Sequence, residues 1–96
     1  MLVLVAYDVS TSTAKGRKRL AKLARLCCNY GQRVQNSVFE CDLDYAQYTE
    51  VKAKMLKIID TSEDNLRLYN LGNKYNERIE NFGRSAAYDP EGELIF

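Results

Sequence analysis

Leu2-Val3-Leu4-Val5-Ala6-Tyr7-Asp8 opens the chain with an apolar run that ends on a carboxylate. The run shows no polar alternation, the pattern of a strand central in a sheet covered on at least one face. Val9-Ser10-Thr11-Ser12-Thr13 follows as a polar connection with several N-cap candidates. From Val9 to Phe39 there is no Asp or Glu, while Lys15, Arg17, Lys18, Arg19, Lys22, Arg25 and Arg33 supply seven positive charges. A rigid strand thus delivers one carboxylate to a rim, and a basic segment follows it. That combination suits a metal ion held beside a phosphate backbone.

Residues 14–30 read as a helix, with Leu20, Leu23, Ala24 and Cys27 at i, i+3, i+4, i+7 and Lys15, Lys18, Lys22 and Arg25 largely opposite. Gly31 is a natural C′ residue after Tyr30. Val and Phe alternate with polar residues from Gln32 to Cys41, which favours strand, and Asn36-Ser37 marks a turn or bulge. The segment therefore divides into strands at 32–35 and 37–43. Asp44, with Gln47 three residues on, reads as the capping box of a second helix that ends at Thr61-Ser62. Tyr48, Val51, Met55 and Ile58/Ile59 give this helix an apolar stripe, and Glu50 and Lys54 form an i,i+4 pair. Asn65 to Leu71 alternates as a strand with one wet face, and Arg78 to Gly83 is a weaker strand. The order is β-α-β-β-α-β with additional C-terminal strands, an α+β ferredoxin-like pattern. The apolar end Leu94-Ile95-Phe96 should dock on an edge, either its own or that of a partner.

Ninety-six residues make one domain, 1–96. The chain can build a core, but a small one that gains from good packing or an oligomer. The first residues lack a basic n-region and a small-residue cleavage site, so no secretory signal or membrane segment is expected and a cytoplasmic protein is. Cys27, Cys28 and Cys41 are odd in number, form no C-x-x-C and have no histidine to join them. They read as buried small hydrophobes rather than a zinc site. The absence of histidine also excludes Ser-His and Cys-His triads, so a hydrolase on this chain would draw on metal-activated water. Outside residues 9–39 the chain carries seven basic and thirteen acidic groups, a segregation that predicts a basic face.

Asp8 is a hard oxygen donor suited to magnesium or manganese, but one carboxylate is a poor site. A second copy across a two-fold axis would supply another. The alternative is that Asp8 merely ends its strand, or pairs with Arg17 or Arg19. The helix bases either solvate an exposed face or contact phosphates without sequence preference. Tyr7, Tyr30 and Phe39 are either core residues or stacking platforms for bases.

Val5-Ala6-Tyr7-Asp8-Val9, the segment Gly31 to Cys41 with its R-V-Q-x-S-V-F-E pattern, and Leu68-Tyr69-Asn70-Leu71-Gly72 resemble the Cas-two family of small CRISPR-associated endonucleases, subunits of the spacer-acquisition complex. The similarity covers essentially the whole chain and is closest to members found with type I-C systems. It implies a homodimer in which residues 78–96 form a C-terminal extension pairing with the partner's sheet. It also implies that Asp8 of both subunits holds one divalent ion, Mg2+ or Mn2+, for phosphodiester hydrolysis in duplex DNA or in RNA, with a larger CRISPR integrase subunit as partner. Tyr7, Asp8, Arg33, Ser37 and Phe39 match the family's functional motifs by position. Arg17 and Arg19 fall at its basic helix start, where Lys15 is an alternative equivalent of either. Many members carry a second acid shortly after the strand aspartate. Here Val9, Ser10, Thr11 and Ser12 offer none, and Ser10 could ligate only through water. Three readings follow: a metal-dependent endonuclease of spacer acquisition acting on duplex DNA or single-stranded RNA, a non-catalytic dimer bridging integrase and DNA, and an mRNA-cleaving toxin of the same size and fold.

Overall fold

The computed structural model describes residues 1–73 and 78–83. Its elements are β1 (Leu2–Asp8), α1 (Ala14–Tyr30), β2 (Gln32–Gln35), β3 (Val38–Asp42), α2 (Tyr45–Ile58) and β4 (Asn65–Gly72). The sheet runs β2-β3-β1-β4, and each of its three pairings is antiparallel. This is the ferredoxin-like arrangement, with the opening apolar run central. Strand alternation then sorts β1 onto two faces. Val3, Val5 and Tyr7 enter the core with Phe39 and Cys41 of β3, Leu23 and Cys27 of α1, and Val51 and Met55 of α2. Leu4 and Ala6 are half-buried on the other face and Asp8 is exposed there. Both helices therefore cover one side of the sheet.

Local signals explain the helix limits. Thr13 caps α1, its Oγ1 accepting the Gly16 N–H at 3.0 Å, and the first turn contains no acid. Asp44 and Gln47 form the expected reciprocal box, with bonds of 2.7 and 3.0 Å. Lys54 meets Glu50 at 2.9 Å on the exposed side of α2. Gly31 departs from expectation. Its φ of −160° is extended backbone, not a left-handed cap. Glycine is required instead by close approach to β3, since a Cβ would strike Cys41 Sγ and the Glu40 carbonyl and sit 2.9 Å from Cys41 Cα.

Two further expectations change. Cys27 and Cys41 are buried, and burial pushes their thiols up to about 12 and about 11, so they stay neutral. Cys28 is exposed, because one residue along a helix turns the side chain off the buried stripe. The weaker strand expected at 78–83 does not form within the single chain, where Arg78 Nη1 donates to the Leu71 carbonyl at 2.8 Å and Gly83 has a φ of 87°. The expected docking of Leu94-Ile95-Phe96 lies outside the described residues. Among the described residues no helix is long and apolar enough to cross a membrane.

Candidate nucleic-acid and metal site

Asp8 is the last residue of β1 and stands opposite Asn65, the first of β4. Its position is pinned from within. The Tyr7 N–H donates to the Ser37 carbonyl at 3.1 Å, so Ser37 contributes through its backbone. The Tyr7 ring lies against Phe39 at 6.1 Å and 21°, and the Arg33 guanidinium sits 5.1 Å from the Phe39 centroid. Tyr7 is buried and Phe39 is 0% exposed. Neither offers a ring to a base, so both support the strand end from the core, and Arg33 seals the outer side. The Tyr7 hydroxyl is buried without a hydrogen-bond partner among the described residues, and burial raises its pKa while nearby Arg33 opposes the rise. Tyr30 is engaged by Lys54, whose Nζ donates to its hydroxyl at 3.1 Å.

The Asp8 carboxylate itself is exposed and has no hydrogen bond or ion pair among the described residues. The alternative that it pairs with a nearby arginine is therefore not realised. Arg17 donates to the Thr11 carbonyl at 3.1 Å, and Arg19 grips Asp64 through Nε at 2.8 Å and Nη2 at 3.2 Å. Arg19 leaves the set of cations open to phosphate. Lys15, Lys18, Lys22 and Arg25 remain exposed, without ion-pair partners among the described residues. Their spacing of three and four residues lines them along one helix face for ~15 Å. Ser10 is held by its backbone, and its Oγ lies 3.3 Å from that of Ser12.

The structure does not put all of these residues on one surface. Asp8 belongs to the sheet face that neither α1 nor α2 covers, whereas the cationic stripe belongs to the outside of the helix layer. On the bare face Asp8 is accompanied by Arg67, which lies opposite Ala6 and donates to the Tyr69 hydroxyl at 3.2 Å. Leu4, Ala6, Val38 and Tyr69 give this face an apolar middle. Among the described residues no group of three or more His, Cys, Asp or Glu side chains converges on a metal position. The oxygen chemistry of Asp8 and Ser10 fits magnesium or manganese, but these two residues are fewer donors than either ion takes.

Asp64 was not singled out by the sequence. It precedes β4, and its partner Arg19 is 45 residues away. Arg19 and the Asp60 and Ser10 amides hold its carboxyl down to about 2. A carboxyl depressed on folding stabilises the protein above its unfolded pKa and loses that contribution as pH falls through the folded value. Stability is therefore expected to fall between about pH 4 and pH 2 by roughly 1–2 kcal/mol on account of this group, discounted because Arg19 remains partly in solvent. Urea titrations of wild type and Asp64→Asn across that range should differ in slope, and parallel curves would remove Asp64 from the acid response.

The profile of the family described as CRISPR associated protein Cas2 matches residues 1–79. The chain belongs to the Cas2 family. It is 52% identical over 96 residues to the CRISPR-associated endonuclease Cas2 of Halalkalibacterium halodurans, covering 100% of both chains. It is 50% identical over 95 residues to the CRISPR-associated endoribonuclease Cas2 of Chlorobaculum tepidum, covering 99% of each. Its fold superposes on the crystal structure of Streptococcus pyogenes Cas2 with a TM-score of 0.76 and 51% identity, over 86% of this chain and 100% of that one. One chain of a partial Cas6-RT-Cas1–Cas2 complex matches with a TM-score of 0.66 and 31% identity, over 98% of each chain.

Proposed function

We propose that the chain is a divalent-metal-dependent endonuclease of CRISPR spacer acquisition that hydrolyses phosphodiester bonds in duplex DNA and acts as a homodimer beside Cas1. The observation that carries this reading is the unpartnered Asp8 carboxylate at the rigid end of β1, on a sheet face left bare by both helices. A second copy facing that surface brings a second Asp8 and covers the apolar middle formed by Leu4, Ala6, Val38 and Tyr69. In this reading residues 78–96 pair with the partner's sheet. The names borne by the Cas2 relatives support nuclease chemistry, and the Cas1–Cas2 assembly supports the partner.

Each part of the chain has a task. Asp8 from the two copies would hold Mg2+ or Mn2+, with Ser10 nearby as a weak oxygen donor. Such an ion, when bound, polarises the phosphodiester and supplies a more acidic water. Lys15, Lys18, Lys22 and Arg25 grip backbone phosphates and position the duplex without reading its sequence. Arg17 extends this cationic rim. Tyr7, Phe39 and Arg33 keep the Asp8 backbone from shifting, and position is what such a site needs.

Purified protein offered duplex DNA and single-stranded RNA, each with magnesium and with chelator, tests the reading. Metal-dependent DNA cutting supports it, and cutting of RNA alone transfers the assignment to the endoribonuclease activity named for the C. tepidum relative. One observation favours a second reading, a non-catalytic bridge between Cas1 and DNA: the described residues of one chain bring no acidic cluster together. Absence of cutting with retained DNA binding would select that bridge.

Binding itself makes a separate prediction. Each phosphate contact contributes about 0.9 to the slope of log affinity against log salt on duplex DNA. Replacing Lys18, Lys22 and Arg25 by glutamine should therefore reduce that slope by about 2–3 and weaken binding at low salt. Fluorescence anisotropy over a salt series measures it, and an unchanged slope would take the α1 stripe out of the interface.

A further inference from the structure

We propose that Asp64 is a positioning residue for the Asp8 rim, acting through the backbone connection that leaves β1. The inference rests on the Asp8 reading above and adds a residue to it. The Asp64 side chain is 0% exposed. Its Oδ1 accepts the Ser10 N–H at 3.1 Å and Arg19 Nη2 at 3.2 Å, while Oδ2 accepts Arg19 Nε at 2.8 Å and the Asp60 N–H at 2.9 Å. Four bonds fill the acceptor capacity of a carboxylate. Three parts of the chain meet there: the β1–α1 connection, the second turn of α1, and the turn that leads into β4.

The geometry reaches Asp8 from two directions. Asn65, the neighbour of Asp64, is the ladder partner of Asp8. Ser10, two residues beyond Asp8, is seated on both sides of its own residue. Its N–H is on Asp64, and its carbonyl fills the space above Gly16 that any Cβ would occupy. The connection that follows the candidate ligand, and the strand that pairs with it, are thereby both tied to one buried carboxylate. Arg19 carries the same restraint into α1, so the helix layer and the strand end share a single anchor. The bond to Ser10 serves stability too, but it is the one that ties this carboxylate to the connection leaving Asp8.

Asp64→Asn is the informative change. It keeps size and shape but replaces one acceptor oxygen with an amide that points N–H groups at the donors it should receive. In the full-length protein the Ser10 and Asp60 amides should exchange at least about tenfold faster, and by a larger factor than the core amides of Val5 and Phe39, which report only the loss of global stability. The Mn2+ concentration that half-broadens the Asp8 amide resonance should rise about tenfold. On duplex DNA kcat should fall by a similar factor with KM within about threefold, because the α1 stripe is untouched. Arg19→Lys, which keeps the charge and loses the two-pronged grip, should give the same pattern more weakly and carries the test if Asp64→Asn does not fold.

Unchanged Ser10 exchange and an unchanged Mn2+ midpoint in the variants would overturn the proposal while leaving the Asp8 reading intact. A wild-type protein whose Mn2+ response matches that of Asp8→Ala would overturn the Asp8 reading, and the positioning role with it.

Discussion

Asp8→Ala protein should bind duplex DNA as wild type does and lose metal-dependent cleavage by roughly a hundredfold or more. The carboxylate is exposed and unpartnered among the described residues, so its removal breaks no internal bond. Folding stability should stay within about 0.5 kcal/mol. That separation makes the result readable: activity goes, and the fold and the grip on phosphate stay. Asp8→Asn should behave alike, since the amide keeps the shape but not the charge that attracts a divalent ion. Cleavage at wild-type rate by either variant would exclude Asp8 from the chemistry and leave the bridging function. A variant that no longer binds DNA would show that Asp8 organises the surface rather than the reaction.

Phe39→Ala should cost about 3–5 kcal/mol of stability, because Phe39 is the largest fully buried side chain among the described residues. Phe39 is 0% exposed, with the Tyr7 ring centroid 6.1 Å and the Arg33 guanidinium 5.1 Å from its own centroid. Deleting it empties the space that braces Tyr7, the residue before Asp8. A domain of this size has only about 5–15 kcal/mol in total, so the thermal midpoint should drop by about 15 °C or more. Phe39→Leu, which keeps most of the volume, should recover the greater part. Calorimetry checks both, and a loss below about 1 kcal/mol for the alanine variant would mean the cavity collapses freely. Cleavage should fall in the alanine variant even below its melting temperature, because the strand end loses its backing.

The fold was largely legible because its signals are local. The unbroken apolar run before Asp8 marked the central strand, the polar run from Val9 to Thr13 offered several caps for the first helix, and Asp44 with Gln47 closed the box expected of them. Asp8 and the cations on α1 were legible for the same reason, as residue types at fixed spacing. What was not legible is what depends on distant meetings. Arg19 looked like one more surface base until Asp64 arrived from across the chain. Gly31 looked like a helix stop, yet its conformation is ordinary and its smallness answers to Cys41. Tyr7 and Phe39 could be read as stacking platforms or as core, and only the sheet's two faces decide between those roles. The same faces place Asp8 and the α1 stripe on different layers, which no linear pattern shows.

Helix α1 runs against its own electrostatics. Its first turn has no acid, and Lys15, Arg17 and Lys18 crowd the end where the helix dipole is already positive. Lys18 and Lys22 add repulsion between like charges one turn apart. The free protein thus carries a strain that mobile ions relieve. Added salt should make the unbound protein harder to melt and, if the proposed phosphate contacts form, should loosen DNA binding, so the two responses run in opposite directions. On the proposed DNA-binding role, a polyanion would be a structural counterpart of this helix as well as a ligand, and the protein would be at its most settled when occupied.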